Sequence, residues 1–408
     1  NKLPVISKQI QKILRKTEGT VKSYLTPGIL FEELGLRYIG PVDGHDIDSM
    51  VKVFKAVKNM NTPVLVHVYT NKSKGYLNNN HDAVESYSVS PNENVINNNC
   101  ISYSNVLGKA LFELADKNDF ICITAAMGIG TGLSKYAEKF ENRYIDVGIA
   151  EEHAITYAGG ISAAGILPIV TIYSTFMQRG YDQIIHDIAL QKLPAIFCMD
   201  RSGLVGEDGP THHGVFDISF MRSIPNVIVT APKDGNEFYD LIYTGIKNKL
   251  LMSIRYPKQN TILDENYSPK EIEVGSWEML NKGSKICILS VGSMVDESLK
   301  AINECFIKLN FTPTLINCRY IKPIDLKMLE KLYESYDNFI TVEEGVISGG
   351  FGSSIVEYFA LNSIKKNIKL LGIKDEFTEH GKRQDLLKNV KIDFISIFKE
   401  IEIIYNEK

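Results

Sequence analysis

Pro168-Ile169-Val170-Thr171-Ile172-Tyr173 and Ala195-Ile196-Phe197-Cys198-Met199-Asp200 are short apolar runs, and each ends on a polar side chain. Strands buried on both faces read this way, because helices cover both sides of a parallel sheet. Outward from these two runs the same unit repeats. A helix is expected over 104–116 before a strand at 120–125, and a strand at 144–147 before a helix at 151–164. The run at 168–173 leads to a helix through 181–190. The run at 195–200 leads to a long loop, a strand at 227–230 and a helix at 236–246. A further α/β unit follows Asn281-Lys282-Gly283, with strands at 287–291, 314–317 and 339–342 and helices at 296–309 and 352–360. Upstream, 32–44 reads as a strand and loop, 48–58 as a helix and 62–69 as a β-rich run. The expectation is an α/β fold of three-layer parallel-sheet domains, with boundaries at 1–88, 102–262 and 280–408 and an Asn-rich linker at 89–101.

The 408 residues are 44% hydrophobic and 23% charged, which places the chain among ordinary globular proteins. A net charge of -4 offers no footprint for nucleic acid, and no apolar run has the length of a membrane span, so neither partner is expected. The six cysteines are scattered without a CxxC pair, and several interrupt apolar runs. They read as buried free thiols, not as a disulfide framework or zinc site.

In parallel sheets ligands sit at the carboxyl ends of strands, so the loops beginning at Gly148, Ser174 and Arg201 are the places to search. Glu151 opens a helix after a strand; alone, it is an acid favoured by the helix dipole. The loop 200–214 is richer, with Arg201, Asp208, His212 and His213 among four glycines. Glycine permits close backbone approach, while Arg and His supply anion binding and proton transfer. After Tyr173 come Phe176 and Arg179; the aromatic side chains could be core, but an arginine there needs a partner. The run 345–352 carries four glycines but no phosphate-loop lysine, and tight packing at a helix start is the preferred reading.

Together, Asp146-Val147-Gly148-Ile149-Ala150-Glu151-Glu152-His153, the 173–183 segment with Gln178-Arg179-Gly180-Tyr181-Asp182-Gln183, and Glu207-Asp208-Gly209-Pro210-Thr211-His212 resemble the transketolase superfamily. Ile39-Gly40-Pro41-Val42-Asp43-Gly44-His45-Asp46 narrows the resemblance to the 1-deoxy-D-xylulose-5-phosphate synthase family within it, over essentially the whole chain. It implies the end of a diphosphate-binding domain, then a pyrimidine-binding domain and a transketolase C-terminal domain. It also implies thiamine diphosphate and Mg2+ as cofactors, pyruvate and D-glyceraldehyde 3-phosphate as substrates, and a homodimer.

By the same resemblance Glu151 hydrogen-bonds the aminopyrimidine ring, and Tyr76, Met127 and Phe176 line the cofactor site. His212 and Asp208 form a proton-handling pair, and Arg179 stabilises the substrate's carboxylate or phosphate. Tyr173, Arg201, Arg255 and Lys258 take the phosphate of the aldehyde, with Arg201 the best anchor because its fork can bind bidentately.

Three departures stand out. The family's Gly-Asp-Gly motif for magnesium and diphosphate is missing, and the chain, starting at Asn1-Lys2-Leu3-Pro4, reads as a piece that begins after it. No metal ligand is therefore assigned. Lys258 stands where Arg is usual, and Ser88 where a histidine is expected, with His81 nearby but out of register.

Two rival readings are a pyrimidine-binding subunit of a 2-oxo acid dehydrogenase and a non-catalytic remnant of the fold. The 42–46 segment speaks against the first, and the retained Glu151, Arg179, Arg201 and His212 against the second. The Asn-rich tracts suggest an apicomplexan parasite and its relict plastid, with a bacterial cytoplasm as the fallback.

Overall fold

The computed structural model describes residues 28–71, 74 and 100–407. Tyr76, His81 and Ser88 and most of the expected linker lie outside the described residues. The chain falls into two units, Asn1–Val95 and Ile96–Lys408.

In the first unit, helix α1 (Ile29–Glu33) precedes strand β1 (Arg37–Asp43), helix α2 (Ile47–Val57) and strand β2 (Val64–Tyr69). The strands pair in parallel, with Arg37 opposite Val64. The motif 42–46 organises the crossover locally. Asp43 accepts the His45 amide at 2.9 Å, and Asp46 caps α2 by accepting the Ser49 amide at 3.0 Å. The Ser49 hydroxyl, which donates to Asp46 at 2.7 Å, and that amide hold the Asp46 carboxyl below its ordinary range.

The second unit begins with β3 (Cys100–Ser102), so residues 100 and 101, expected as linker, are strand. Helix α3 (Tyr103–Leu114), β4 (Phe120–Thr124), β5 (Tyr144–Asp146), helix α4 (Glu151–Ala163), β6 (Leu167–Tyr173) and β7 (Ala195–Asp200) follow. Next come β8 (Ile228–Thr230), helix α5 (Gly235–Lys247), β9 (Leu251–Arg255) and β10 (Asn260–Ile262), which pairs back antiparallel onto β3. The later half holds β11 (Glu278–Asn281), β12 (Ile286–Ser290), helix α6 (Met294–Leu309), β13 (Thr314–Asn317), β14 (Tyr320–Lys322), β15 (Asn338–Val346), helix α7 (Phe351–Leu361) and β16 (Asn367–Ile373).

Two sheets result, ordered β14-β8-β9-β7-β6-β4-β5 and β11-β13-β12-β15-β16. Both are parallel except at one edge, where β14 and β11 run antiparallel to their neighbours, so the sheets are mixed and not purely parallel. The apolar runs fill both faces. Ile286 and Ile288 of β12 pack in one hydrophobic cluster, and the alternating Cys287 and Leu289 in another. β14 departs from a clean domain division at 262–280. It belongs in sequence to the C-terminal half but caps the β8 edge of the preceding sheet, covering otherwise unpaired backbone groups. The expected single helix through 181–190 is broken into short turns ending in π-helical Ile184–Ala189.

The glycine run before α7 packs tightly. Fully buried Glu343 accepts the Phe351 and Gly352 amides at 2.7 and 2.8 Å, so the helix start is already filled by a carboxylate. Burial pushes that carboxyl up to about 7 against those two bonds. The neighbouring Glu344 clasps the two sheets together. It accepts the Leu204 amide at 2.9 Å and the Ser293 hydroxyl at 2.8 Å, and Arg383 grips both its oxygens at 3.1 and 2.5 Å. Burial raises the Glu344 carboxyl, but Arg383 and the other donors outweigh it, and the net position lies below the ordinary carboxylate range. Such a group stabilises the fold above its unfolded pKa and loses that contribution as pH falls. Arg383→Met should therefore cost about 3 kcal/mol at pH 7, by leaving a buried charge unpaired, and visibly less near pH 4. Denaturant unfolding at the two pH values measures this.

Candidate active site

Tyr173 ends β6 directly opposite Asp200, which ends β7, so register alone brings the loops that follow side by side. The residue after Asp200, Arg201, adopts a left-handed backbone with φ 59°. That turn folds its guanidinium over the Tyr173 ring, 3.7 Å from the centroid. Tyr173 stacks in turn on Phe176 at 5.9 Å, and Phe176 meets the edge of the His212 imidazole at 5.4 Å. A column of four side chains thus crosses the carboxyl ends of β6 and β7. Burial raises the Tyr173 phenol pKa, with Arg201 opposing it. The 126–132 loop closes one end of the column. A Cβ on Gly130 would lie 1.9 Å from the Tyr173 hydroxyl, so only glycine fits there.

The loop 201–214 is closed at its neck by reciprocal amide–carbonyl bonds between Gly203 and Gly214, at 2.7 and 2.9 Å. The Ser202 amide also donates to the Tyr256 carbonyl at 2.9 Å. Within the loop the two adjacent histidines part ways. His213 is buried; its Nδ1 accepts the Val205 amide at 3.1 Å, which leaves Nε2–H to donate to the Glu379 carbonyl at 3.1 Å. It is a structural bridge within the loop's frame. His212 is part-exposed, with Nδ1 beside the Thr211 hydroxyl at 2.9 Å.

Asp208 does not pair with His212. Its carboxylate sits 2.6 Å from the Lys258 ammonium. Arg255 also differs from expectation. It is 5% exposed, its Nε donates to Asp217 at 2.9 Å and its Nη2 to the Glu344 carbonyl at 2.9 Å. A guanidinium so committed is a strut between the sheets, and the structure does not support it as a substrate ligand. Lys258, partly exposed beside Asp208, is the basic group of that segment that reaches the surface.

Glu151 opens α4 and is only 4% exposed, with no hydrogen-bond partner for its carboxylate among the described residues. A buried carboxylate without a donor fits a protonated ring nitrogen arriving from a ligand. Met127 is buried, its sulfur 3.4 Å from the Tyr173 amide, so it borders the column at the strand end. Arg179 is exposed and forms no ion pair or hydrogen bond among the described residues, so it needs no core partner. Among the described residues no group of three or more His, Cys, Asp or Glu is placed to hold a metal, and no helix is long and apolar enough to cross a membrane. The sequence reading passed over Asp200, Ser104 and Glu344. A strand-terminal acid next to the key arginine was the available signal for the first; the others act over long sequence separations.

Gly203 (φ 77°) lies where a Cβ would come within 2.6 Å of the Glu344 carboxyl carbon. Gly203→Ala should destabilise the fold by about 2 kcal/mol or more, with the 201–214 loop cut earlier in limited proteolysis. Unchanged unfolding and cleavage would mean that the neck tolerates the shift.

Comparison with known proteins identifies the domains and the family. Family models match as the transketolase pyrimidine binding domain over 99–262, the transketolase C-terminal domain over 275–397, and 1-deoxy-D-xylulose-5-phosphate synthase over 1–70. A 1-deoxy-D-xylulose-5-phosphate synthase of Aquifex aeolicus is 46% identical over 96% of the chain and 63% of its own length. That of Clostridium beijerinckii is 40% identical over 98% of the chain and 66% of its own length. The chain thus spans somewhat less than two thirds of the length of these relatives. Among solved structures, a split-gene transketolase described as an inactive β4 tetramer superposes with a TM-score of 0.66 at 23% identity, over 74% of this chain and 98% of that one. The Campylobacter jejuni transketolase gives 0.60 at 19% identity, over 92% and 68%. Those two establish the fold, and the identities to the synthases, with the synthase-type segment at 1–70, go further: the chain belongs to the 1-deoxy-D-xylulose-5-phosphate synthase family.

Proposed function

We propose that this chain supplies the pyrimidine-binding and C-terminal parts of a thiamine-diphosphate-dependent transferase. It condenses pyruvate with D-glyceraldehyde 3-phosphate to 1-deoxy-D-xylulose 5-phosphate and carbon dioxide, the entry step of non-mevalonate isoprenoid synthesis. The observation that carries this reading is the column Arg201–Tyr173–Phe176–His212 on the same sheet edge as a buried Glu151 whose carboxylate has no partner among the described residues.

When bound, the cofactor supplies a carbon nucleophile and an electron sink for loss of carbon dioxide. The chain's own residues do the rest. Glu151 holds a proton at the pyrimidine ring nitrogen, and Phe176 and Met127 border that ring; Tyr76 is assigned to the same site by resemblance. Arg201 offers its fork to the aldehyde's phosphate, with Lys258 adding a point charge and the Tyr173 ring fixing the guanidinium plane. His212, with Nδ1 taken up by Thr211, moves protons at Nε2, while Asp208 tethers Lys258. Arg179, exposed without an ion-pair partner among the described residues, meets pyruvate's carboxylate. Magnesium and diphosphate binding are assigned to no residue of this chain.

A homodimer is part of the proposal, supported by Ile149 just before α4 and Tyr157 on it, which expose 86% and 42% of their surface. The Asn-rich tracts support a plastid setting in an apicomplexan cell.

Carbon dioxide release from pyruvate by the intact natural protein, with thiamine diphosphate and Mg2+, should depend strongly on glyceraldehyde 3-phosphate and yield a pentulose phosphate. Glu151→Gln should lower that rate roughly 100-fold or more. No release under either condition would overturn the proposal. Lys258→Arg, which restores a planar fork, should lower KM for the aldehyde phosphate by roughly threefold with kcat unchanged. An unaltered KM would remove Lys258 from the phosphate site.

A further inference from the structure

Arg201 is anchored along one edge only. Its Nη1 donates to the Gly130 carbonyl at 3.3 Å and lies 3.6 Å from the Asp200 carboxylate, while its plane rests on Tyr173. Its Nε and Nη2 have no hydrogen-bond partner among the described residues. One edge of the fork is thus tied down and the other left for a planar pair of oxygens.

The tie itself is unusual. Asp200 is fully buried at the end of β7; Oδ2 accepts the Ser104 hydroxyl at 2.8 Å, and Oδ1 has no partner. An under-bonded buried carboxylate costs stability, and a purely structural role would be served as well by a neutral side chain. We propose that Asp200 is a positioning residue for the phosphate site, its carboxylate holding the Arg201 guanidinium in the plane that receives the phosphate of the aldehyde substrate. This rests on the synthase reading above and adds to it the group that sets Arg201's orientation.

The charged groups around Asp200 come from four directions. Cys198 lies on its own strand β7 and Arg201 directly after it, Ser104 on α3, Tyr173 on β6, and Tyr256 and Lys258 beyond β9. Burial dominates and pushes the Asp200 carboxyl up to about 6, with Arg201 and the Ser104 bond opposing it. A raised carboxyl favours the folded state at low pH and loses that contribution as pH rises through 6. The charge that orients Arg201 therefore appears only above that point, at a cost in stability.

The test compares wild type with Asp200→Asn in the intact protein with thiamine diphosphate and Mg2+. The acceptors are D-glyceraldehyde 3-phosphate and unphosphorylated D-glyceraldehyde. Asp200→Asn should raise KM for the phosphorylated aldehyde roughly tenfold with kcat within about twofold, and lower the preference for the phosphorylated acceptor by the same factor. Between pH 5 and 7.5, the wild-type preference should rise with an inflection near 6 beyond that of the phosphate itself, and the variant should keep only the latter. The variant should also melt no lower than wild type at pH 8, since a buried charge is gone. Ser104→Ala, which keeps the charge but removes its one hydrogen bond, should shift KM in the same direction by less. Equal loss with both acceptors, or an unchanged KM, would overturn the proposal. Should wild type turn over neither acceptor, the synthase reading fails separately. Calorimetric titration with inorganic phosphate then decides the inference, weaker binding by Asp200→Asn supporting it and equal binding overturning it.

Discussion

The buried carboxylate of Glu344 ties the loop after β7 of one sheet to the frame of the other. It ends a central parallel strand, yet its ligands come from Leu204 in the loop after β7, Ser293 before α6, and Arg383 far along the chain. Removing a charge from water is costly, and the geometry recovers that cost only because every lone pair is directed at a donor. What the arrangement secures is position. The loop that carries Asp208 and His212 springs from the pyrimidine-type sheet but is held from the C-terminal sheet. The same seam is reinforced where Arg255 spans from Asp217 to the Glu344 carbonyl, and where His213 links Val205 to Glu379. A loop this rich in glycine would be flexible alone; here its neck and its flanks are pinned.

With the loop pinned, the column from Arg201 to His212 is held in a single arrangement by its own neighbours. Each member limits the next: Gly130 leaves room for the Tyr173 hydroxyl, Tyr173 carries the guanidinium, and Phe176 sets the imidazole edge. On the proposed reading, such preorganisation leaves binding energy for the reacting centre instead of for ordering side chains. The π-helical turn Ile184–Ala189 lies one segment beyond Arg179 and is a further stretch of irregular backbone near the candidate site.

The two sheets follow directly from apolar runs such as 168–173 and 195–200, because a strand covered on both faces must be apolar throughout. The local motifs were legible for a related reason. Glu151 at a helix start and Arg201 after a strand end are each defined by neighbours within a few residues. The resemblance to a family rests on such short-range patterns, and the identities to its members bear it out. The linker assignment failed at 100–101, since pairing of β3 with β10 depends on residues about 160 positions away.

What the sequence by itself determined is therefore the class of fold and the strand ends, as consequences of periodicity and local propensity, and the family, through the resemblance of its short motifs. What only the tertiary structure decided is which charged groups remain available. Arg255 and Lys258 are three positions apart, yet one is a buried strut and the other a surface cation; His212 and His213 are adjacent, yet one faces the site and the other locks the loop. Periodicity states that a side chain is buried, not what it is buried against. For a charged group, the partner is what separates a structural ion pair from a ligand.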